Sequence, residues 1–257
     1  MSIFPSFPIY LVKVSSGSFV HKFFKSNFDC LHMPFFLPPQ WFYDIDNILD
    51  SVSVLVLLLI AFFSMSYYRI SKRKNYLLLT ASFSILALSF AIKVAYNFII
   101  YHNLLSPLSL LEAHEFLESL PTFIVLAVFL HRFLHLVGLF LLYLLHQKVP
   151  KSSMFLLIYF AAVLTYFSRS AYYLFHLTTL FLLLFITWTY VGQWRLNKRS
   201  TTLLLTIGFA TMALSQVLFM FYQITNLFYV AAEIIQVVAY LVLLITFILV
   251  LRHGKTK

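Results

Sequence analysis

Seven apolar runs, each near the length of a membrane crossing, dominate the 257 residues and limit what the chain can become. They cover residues 48–68, 76–100, 121–145, 153–169, 171–194, 202–223 and 227–251. An α-helix rises ~1.5 Å per residue, so about 20 residues cross ~30 Å of hydrocarbon. Backbone groups find no water in lipid, so runs of this kind must close their hydrogen bonds internally as helices. Composition agrees: 62% of residues are apolar, 10% are charged and mean hydropathy is +0.92, where soluble domains hold about 45–50% apolar and about 25% charged residues. The expected fold is an all-α integral membrane protein, a bundle of seven transmembrane helices with the lipid bilayer as its first partner. The fourth run is the shortest. It is continuously apolar only from Met154 to Phe167, and it spans only if Ser152 to Arg169 are included with Arg169 reaching the interface.

Basic residues collect in every second connection, as cytoplasmic loops require. Arg69, Lys72, Arg73 and Lys74 follow the first span, Lys148 and Lys151 the third, Arg195, Lys198 and Arg199 the fifth, and Arg252, Lys255 and Lys257 the seventh. The acids Asp29, Asp44, Asp46, Asp50, Glu112, Glu115, Glu118 and Glu233 fall on or near the other side. This pattern predicts an amino terminus outside, a carboxyl terminus in the cytoplasm and a place in the cell membrane. The net charge of +10 comes from short clusters and never from a long basic face, so nucleic acid is not an expected partner.

Residues 1–47 read as an extracellular or interfacial segment. Residues 1–32 lack the basic start, apolar core and small-residue cleavage site of a signal peptide, and they place Lys13, Lys22 and Lys25 on the outer side. Translation from Met33 would instead leave a short aromatic, proline-rich lead into the first helix. The single cysteine, Cys30, forms no internal disulfide and no cysteine metal cage. In the loop 101–120, Ser106-Pro107 and Ser109-x-x-Glu112 predict a short interfacial helix, with Glu112, His114, Glu115 and Glu118 on its solvated face.

The chain also repeats itself. Tyr68 to Phe90 and Trp194 to Gln216 match at a displacement of 126 residues with 11 identities in 23, and Tyr96 meets Tyr222 at the same displacement. Spans one and two thus correspond to spans five and six. Matching His146-Gln147-Lys148 with His253-Gly254-Lys255 sets span three against span seven. The predicted organisation is 3+1+3: a first three-helix repeat at 48–145, a linker helix at 146–170, and a second repeat at 171–257 ending in a basic tail. An odd linker makes the two repeats parallel, related by an axis near the membrane normal.

Ionisable groups inside the spans are few, and each costs about 2.5–3.5 kcal/mol at a helix centre, so each is a functional candidate. Lys93 lies about seven residues inside the outer end of span two and Glu233 about six inside that of span seven, or ~10 and ~9 Å deep. Equal depth predicts an ion pair between the repeats, since either charge alone would be stranded. Span three carries His131, Arg132 and His135 near mid-membrane, the two histidines sharing a face by their i, i+4 spacing. His176 on span five is the nearest candidate for a further ligand, but it sits higher. Together these six residues are the candidates for a ligand or proton pathway; a metal at the histidines would need further ligands.

In outline the chain resembles opsins and heptahelical receptors, but residues 227–251 hold no lysine for a retinal Schiff base, and neither Asp-Arg-Tyr nor Asn-Pro-x-x-Tyr occurs at the relevant helix ends. Its layout is similar to that of the SWEET sugar transporters, without their intrahelical prolines. No His-Glu-x-x-His, nucleophile elbow, phosphate loop or paired intramembrane carboxylate marks an enzyme. The expected role is non-catalytic, a sensing or binding module acting through a separate cytoplasmic or membrane protein. Two alternatives stand beside it: a small-solute or ion transporter with its pathway between the repeats, and a haem- or metal-binding protein using the histidines of span three.

Overall fold

The computed structural model describes residues 40–105, 112–145, 151–168, 172–222 and 224–254. A 3-10 turn, Gln40–Phe42, leads into α1 (Tyr43–Ser71), followed by α2 (Lys74–Leu105), α3 (Glu112–Leu144), α4 (Lys151–Phe167), α5 (Tyr172–Asn197), α6 (Ser200–Met220) and α7 (Asn226–Gly254), with no strand among the described residues. Six helices are long and apolar enough to cross a membrane: Tyr43–Ser71, Lys74–Ile100, Phe123–Leu144, Tyr172–Asn197, Ser200–Met220 and Asn226–Val250. The remaining helix, α4, has 17 residues. At ~1.5 Å per residue it rises ~26 Å, short of the ~30 Å of hydrocarbon.

Two boundaries differ from the sequence reading. Helix α1 begins at Tyr43, so the last residues of the expected outer segment are already helical; Asp44 and Asp46 stand in its first turn, where carboxylates complement the helix dipole. The helix expected in the loop 101–120 is not separate, because from Glu112 it runs on into α3. The side chains of Glu112, His114, Glu115 and Glu118 lie outside the described residues, as do residues 1–39 and the side chains of Lys148, Arg169, Arg252, Lys255 and Lys257.

The turns that follow α1 and α5 are built alike. Lys72 and Lys198 adopt left-handed backbone angles, φ 54° and 51°, and their N–H groups donate to Tyr68 and Trp194 carbonyls at 2.8 Å. A left-handed residue with a 5→1 bond closes a helix, usually with glycine; a lysine there keeps charge beside the last carbonyls.

Helices adjacent in sequence pack together: α1 on α2, α2 on α3, α5 on α6 and α6 on α7. Contacts of α1 with α7 and of α3 with α5 join the two ends of this series, and α4 rests against α3 and α5. The buried core includes Leu57 and Ile60 of α1, Phe83 and Leu86 of α2, Leu136 and Leu139 of α3, Leu183 and Ile186 of α5, Phe209 and Met212 of α6, and Leu243 of α7. Leu55, Phe62, Leu88, Phe185 and Ile245 point outward, which suits a lipid-facing surface.

Lipid tails are as apolar as leucine, so helix association depends on close packing and small residues. A Cβ on Gly138 would lie 2.7 Å from Leu86 Cγ and 3.2 Å from the Ser82 carbonyl oxygen; one on Gly208 would lie 2.7 Å from Leu243 Cδ2. Gly138→Ala is therefore expected to lower stability in detergent by about 1–3 kcal/mol through overpacking. Gly192, with nothing within 4 Å of its Cβ position, is the control. There alanine should be neutral or stabilising, as in any open helix position, and equal unfolding midpoints for the two variants would remove the close-packing account.

Candidate functional site

Helices α1, α3, α5 and α7 begin at one end of the bundle, and the charged residues of the spans gather toward that starting end. Asp46 and Asp50, one turn apart on α1, are 0% and 1% exposed. Between them and α7 stands Lys93 of α2. Its ammonium donates to Glu233 Oε1 at 2.7 Å and to Asp50 Oδ1 at 3.0 Å, with Asp50 Oδ2 also at 3.0 Å and Asp46 Oδ1 at 3.8 Å. Asp46 in turn accepts from the Tyr229 hydroxyl at 3.0 Å and the Asn97 amide at 3.3 Å. The cluster thus ties α1 and α2 to α7. One ammonium faces three carboxylates in a place where each unpaired ion costs several kcal/mol. Such a group can hold protons as well as pair charges.

Lys93 and Glu233, which depth alone had set side by side, are in contact. Asp46 and Asp50 were not among the sequence candidates, because Asp46 precedes the apolar run that starts at residue 48 and Asp50 is only two residues inside its edge, while the helix starts at Tyr43. Their i, i+4 spacing on an amphipathic start was the available signal.

Deeper by about one turn lies a polar layer. The Ser89 hydroxyl donates to the His131 carbonyl at 2.8 Å, and His131 Nδ1 lies 2.9 Å from both the Ser89 carbonyl and hydroxyl oxygens. A carbonyl only accepts, so this geometry puts the imidazole proton on Nδ1. Across the bundle His176 Nδ1 is 2.8 Å from Gln216 Oε1, and the Gln216 amide donates to Gln236 Oε1 at 3.2 Å, linking α5, α6 and α7. His131 and His135 have ring centroids 6.0 Å apart. Phe175 stands between the histidines of α3 and α5, its centroid 6.4 Å from His131, 5.7 Å from His135 and 5.0 Å from His176. His176 therefore pairs with glutamine, not with His131. Among the described residues no three His, Cys, Asp or Glu side chains are placed to hold a metal ion; Lys93 takes the centre of the carboxylates. Gln216 and Gln236 escaped a sequence search for ionisable groups, since amides in apolar runs carry no charge.

Arg132 turns away from His135. Its Nη1 donates to the Ser168 carbonyl at 2.7 Å and the Ser168 hydroxyl at 3.3 Å. Its guanidinium lies over Tyr172 at 5.5 Å and Phe175 at 5.6 Å. Ser168 follows the last residue of α4 and Tyr172 opens α5. Tyr172 also meets Tyr222, just beyond the end of α6, with ring centroids 5.2 Å apart, so the α4–α5 junction lies beside the α6–α7 turn, at the starting end of the bundle.

Fold and site together define the class: an integral, multi-pass, all-helical membrane protein with buried ionic and amide networks. Comparison with known proteins gives no match, neither to a family model, nor to a curated protein, nor to a solved structure.

Proposed function

We propose that the protein is a non-catalytic membrane module that senses or binds something at the buried ion cluster and passes the result to a separate protein partner. One observation carries this reading: Lys93, Asp50 and Glu233 bridge α1 and α2 of one three-helix unit to α7 of the other. A change of charge at any member alters what holds the units together.

The 3+1+3 arrangement with parallel repeats is part of the proposal. In its support, buried positions recur at the displacement of 126 found in the sequence: Ser53, Leu57, Ile60 and Ser64 on α1 against Thr179, Leu183, Ile186 and Tyr190 on α5, and Phe83, Leu86 and Ala87 on α2 against Phe209, Met212 and Ala213 on α6. The left-handed Lys72 and Lys198 stand at the same displacement. For α3 and α7 the buried pairs Ile124 and Tyr229, Ala127 and Ala232, His131 and Gln236 fall at 105, two residues from the 107 that the His-x-Lys ends give. Arg69, Lys72, Arg73, Arg195, Lys198 and Arg199 are all exposed where α1 and α5 turn into the next helix, which favours a cytoplasmic far end and an outer ion cluster in the cell membrane.

The transporter reading keeps one observation of its own, the succession of polar groups from Lys93 through His131 to His135. Purified protein in liposomes separates the two. Sensing predicts ion and solute flux at the level of empty vesicles, together with a change in distance between spin labels on α1 and α7 when external pH or salt is varied. Flux above background with no change in that distance overturns it.

A further inference from the structure

One turn below the bonded layer, three polar atoms have no hydrogen-bond partner: His135 Nδ1, Thr179 Oγ1 and Tyr240 OH, on residues 4%, 0% and 0% exposed. Each lies one helical turn from a bonded group on its own helix. His135 is four residues beyond His131, Thr179 three beyond His176, and Tyr240 four beyond Gln236. The helices α3, α5 and α7 therefore present them at one depth. His135 and Tyr240 both meet Phe90 edge-on, at 5.6 and 5.7 Å, and His135 meets Phe175, one turn before Thr179, at 5.7 Å. They also stand 105 residues apart, the displacement that relates buried positions on α3 and α7.

Thr179 departs from the habit of its neighbours. Thr80, Thr165, Thr178, Thr187, Thr206 and Thr246 all return their hydroxyls to the carbonyl four residues back. Thr179, more deeply buried than most, makes no such bond. A hydroxyl that forgoes the nearest acceptor inside a helix is directed at something else. Leaving three such groups dry costs more than ordering a water molecule among them, and water at polar sites of this kind usually has two to four partners.

We propose that His135, Thr179 and Tyr240 bind internal water in the middle of the bundle, where it continues the polar chain that starts at Lys93. The water receives hydrogen bonds from the two hydroxyls or donates to them, and meets the imidazole at Nδ1. This site does not depend on the sensing reading, because a structural, sensing or transporting bundle could each contain it.

Two measurements test it. Radiolytic hydroxyl labelling of the intact protein in nanodiscs marks side chains that touch bound water; Tyr240 and Phe90 should label several-fold faster than Phe209, which is 2% exposed and stacked on Tyr190. Tyr240→Phe and Thr179→Val each remove one partner while keeping shape, and each should lower the unfolding midpoint by about 2–4 °C, with the double change losing less than the sum. Labelling no faster than Phe209, or midpoints that stay or rise, overturns the proposal.

Discussion

Lys93→Met is expected to cost about 3–5 kcal/mol of stability, the penalty for stranding buried charges by removing their partner. The side chain is 13% exposed and supplies the only ammonium within 4 Å of Asp46, Asp50 and Glu233 among the described residues. Without it, three carboxylates share a site with Tyr229 and Asn97 as donors among the described residues. The opposite change should be mild. Glu233→Gln keeps an oxygen for the Lys93 ammonium and removes one surplus negative charge, so its loss should stay within about 1 kcal/mol, the net worth of an ordinary hydrogen bond. The double variant should fall between the two, since Asp46 and Asp50 still lack a cation. Reversible unfolding in detergent, compared across the three variants, checks this ordering. If Lys93→Met and Glu233→Gln lose the same amount, a simple one-to-one pair describes the site and the surplus of carboxylates has no energetic meaning.

That ordering also shows where sequence reasoning stops. Lys93 and Glu233 were legible as a pair because a charge in a long apolar run is rare and helix rise converts residue count into depth. Asp46 and Asp50 were not, because one precedes the apolar run and the other is two residues inside its edge, where charge reads as interfacial, while hydrogen bonding carries the helix on to Tyr43. The shift of five residues moves ~7.5 Å along the axis, enough to turn an outer flank into the level of Lys93. The repeat was legible in identities, and the recurrence of Ser53 and Thr179 or Leu57 and Leu183 among buried positions follows the same displacement. The shortness of α4 was legible too. What it does to its surroundings was not, since periodicity says where a helix lies and nothing of the depth at which its end is held.

The two halves use equivalent positions differently. At the displacement of 126, Asp46 and Asp50 correspond to Tyr172 and His176, and Lys93 to Phe219. Ions join α1 to α2 in the first half, whereas in the second His176 stacks on Phe219 at 4.9 Å and meets Tyr172 at a tilt at 4.4 Å. The first half thus fills this level with ions and the second with aromatic rings, over which the Arg132 guanidinium lies, 5.5 Å from the Tyr172 centroid.

Arg132→Met should give the second large loss, about 2–4 kcal/mol, made of a charge-assisted hydrogen bond, an orphaned buried carbonyl and two lost cation–π contacts. The last carbonyls of any helix lack partners within it, and where they are buried, as at Ser168, 1% exposed, no water replaces them. The α4–α5 junction is such a place. Arg132 reaches it from α3, bonds the Ser168 carbonyl at 2.7 Å, and lies over Tyr172 and Phe175 of α5. The residue that the sequence grouped with His131 and His135 is thus the fastening of a short helix to its neighbours. A general weakening and a local one differ in hydrogen exchange. The amides of Thr165 to Ser168, where Ser168 N–H donates to the Leu164 carbonyl at 2.8 Å, should exchange faster in the variant, while those of α1 and α2 keep their rates. Arg132→Lys keeps the charge but loses the planar fork and its stacking, and should recover only part of the stability. Uniform acceleration along the chain, or full recovery by lysine, would mean that Arg132 acts through its charge alone and that the end of α4 is held by something else.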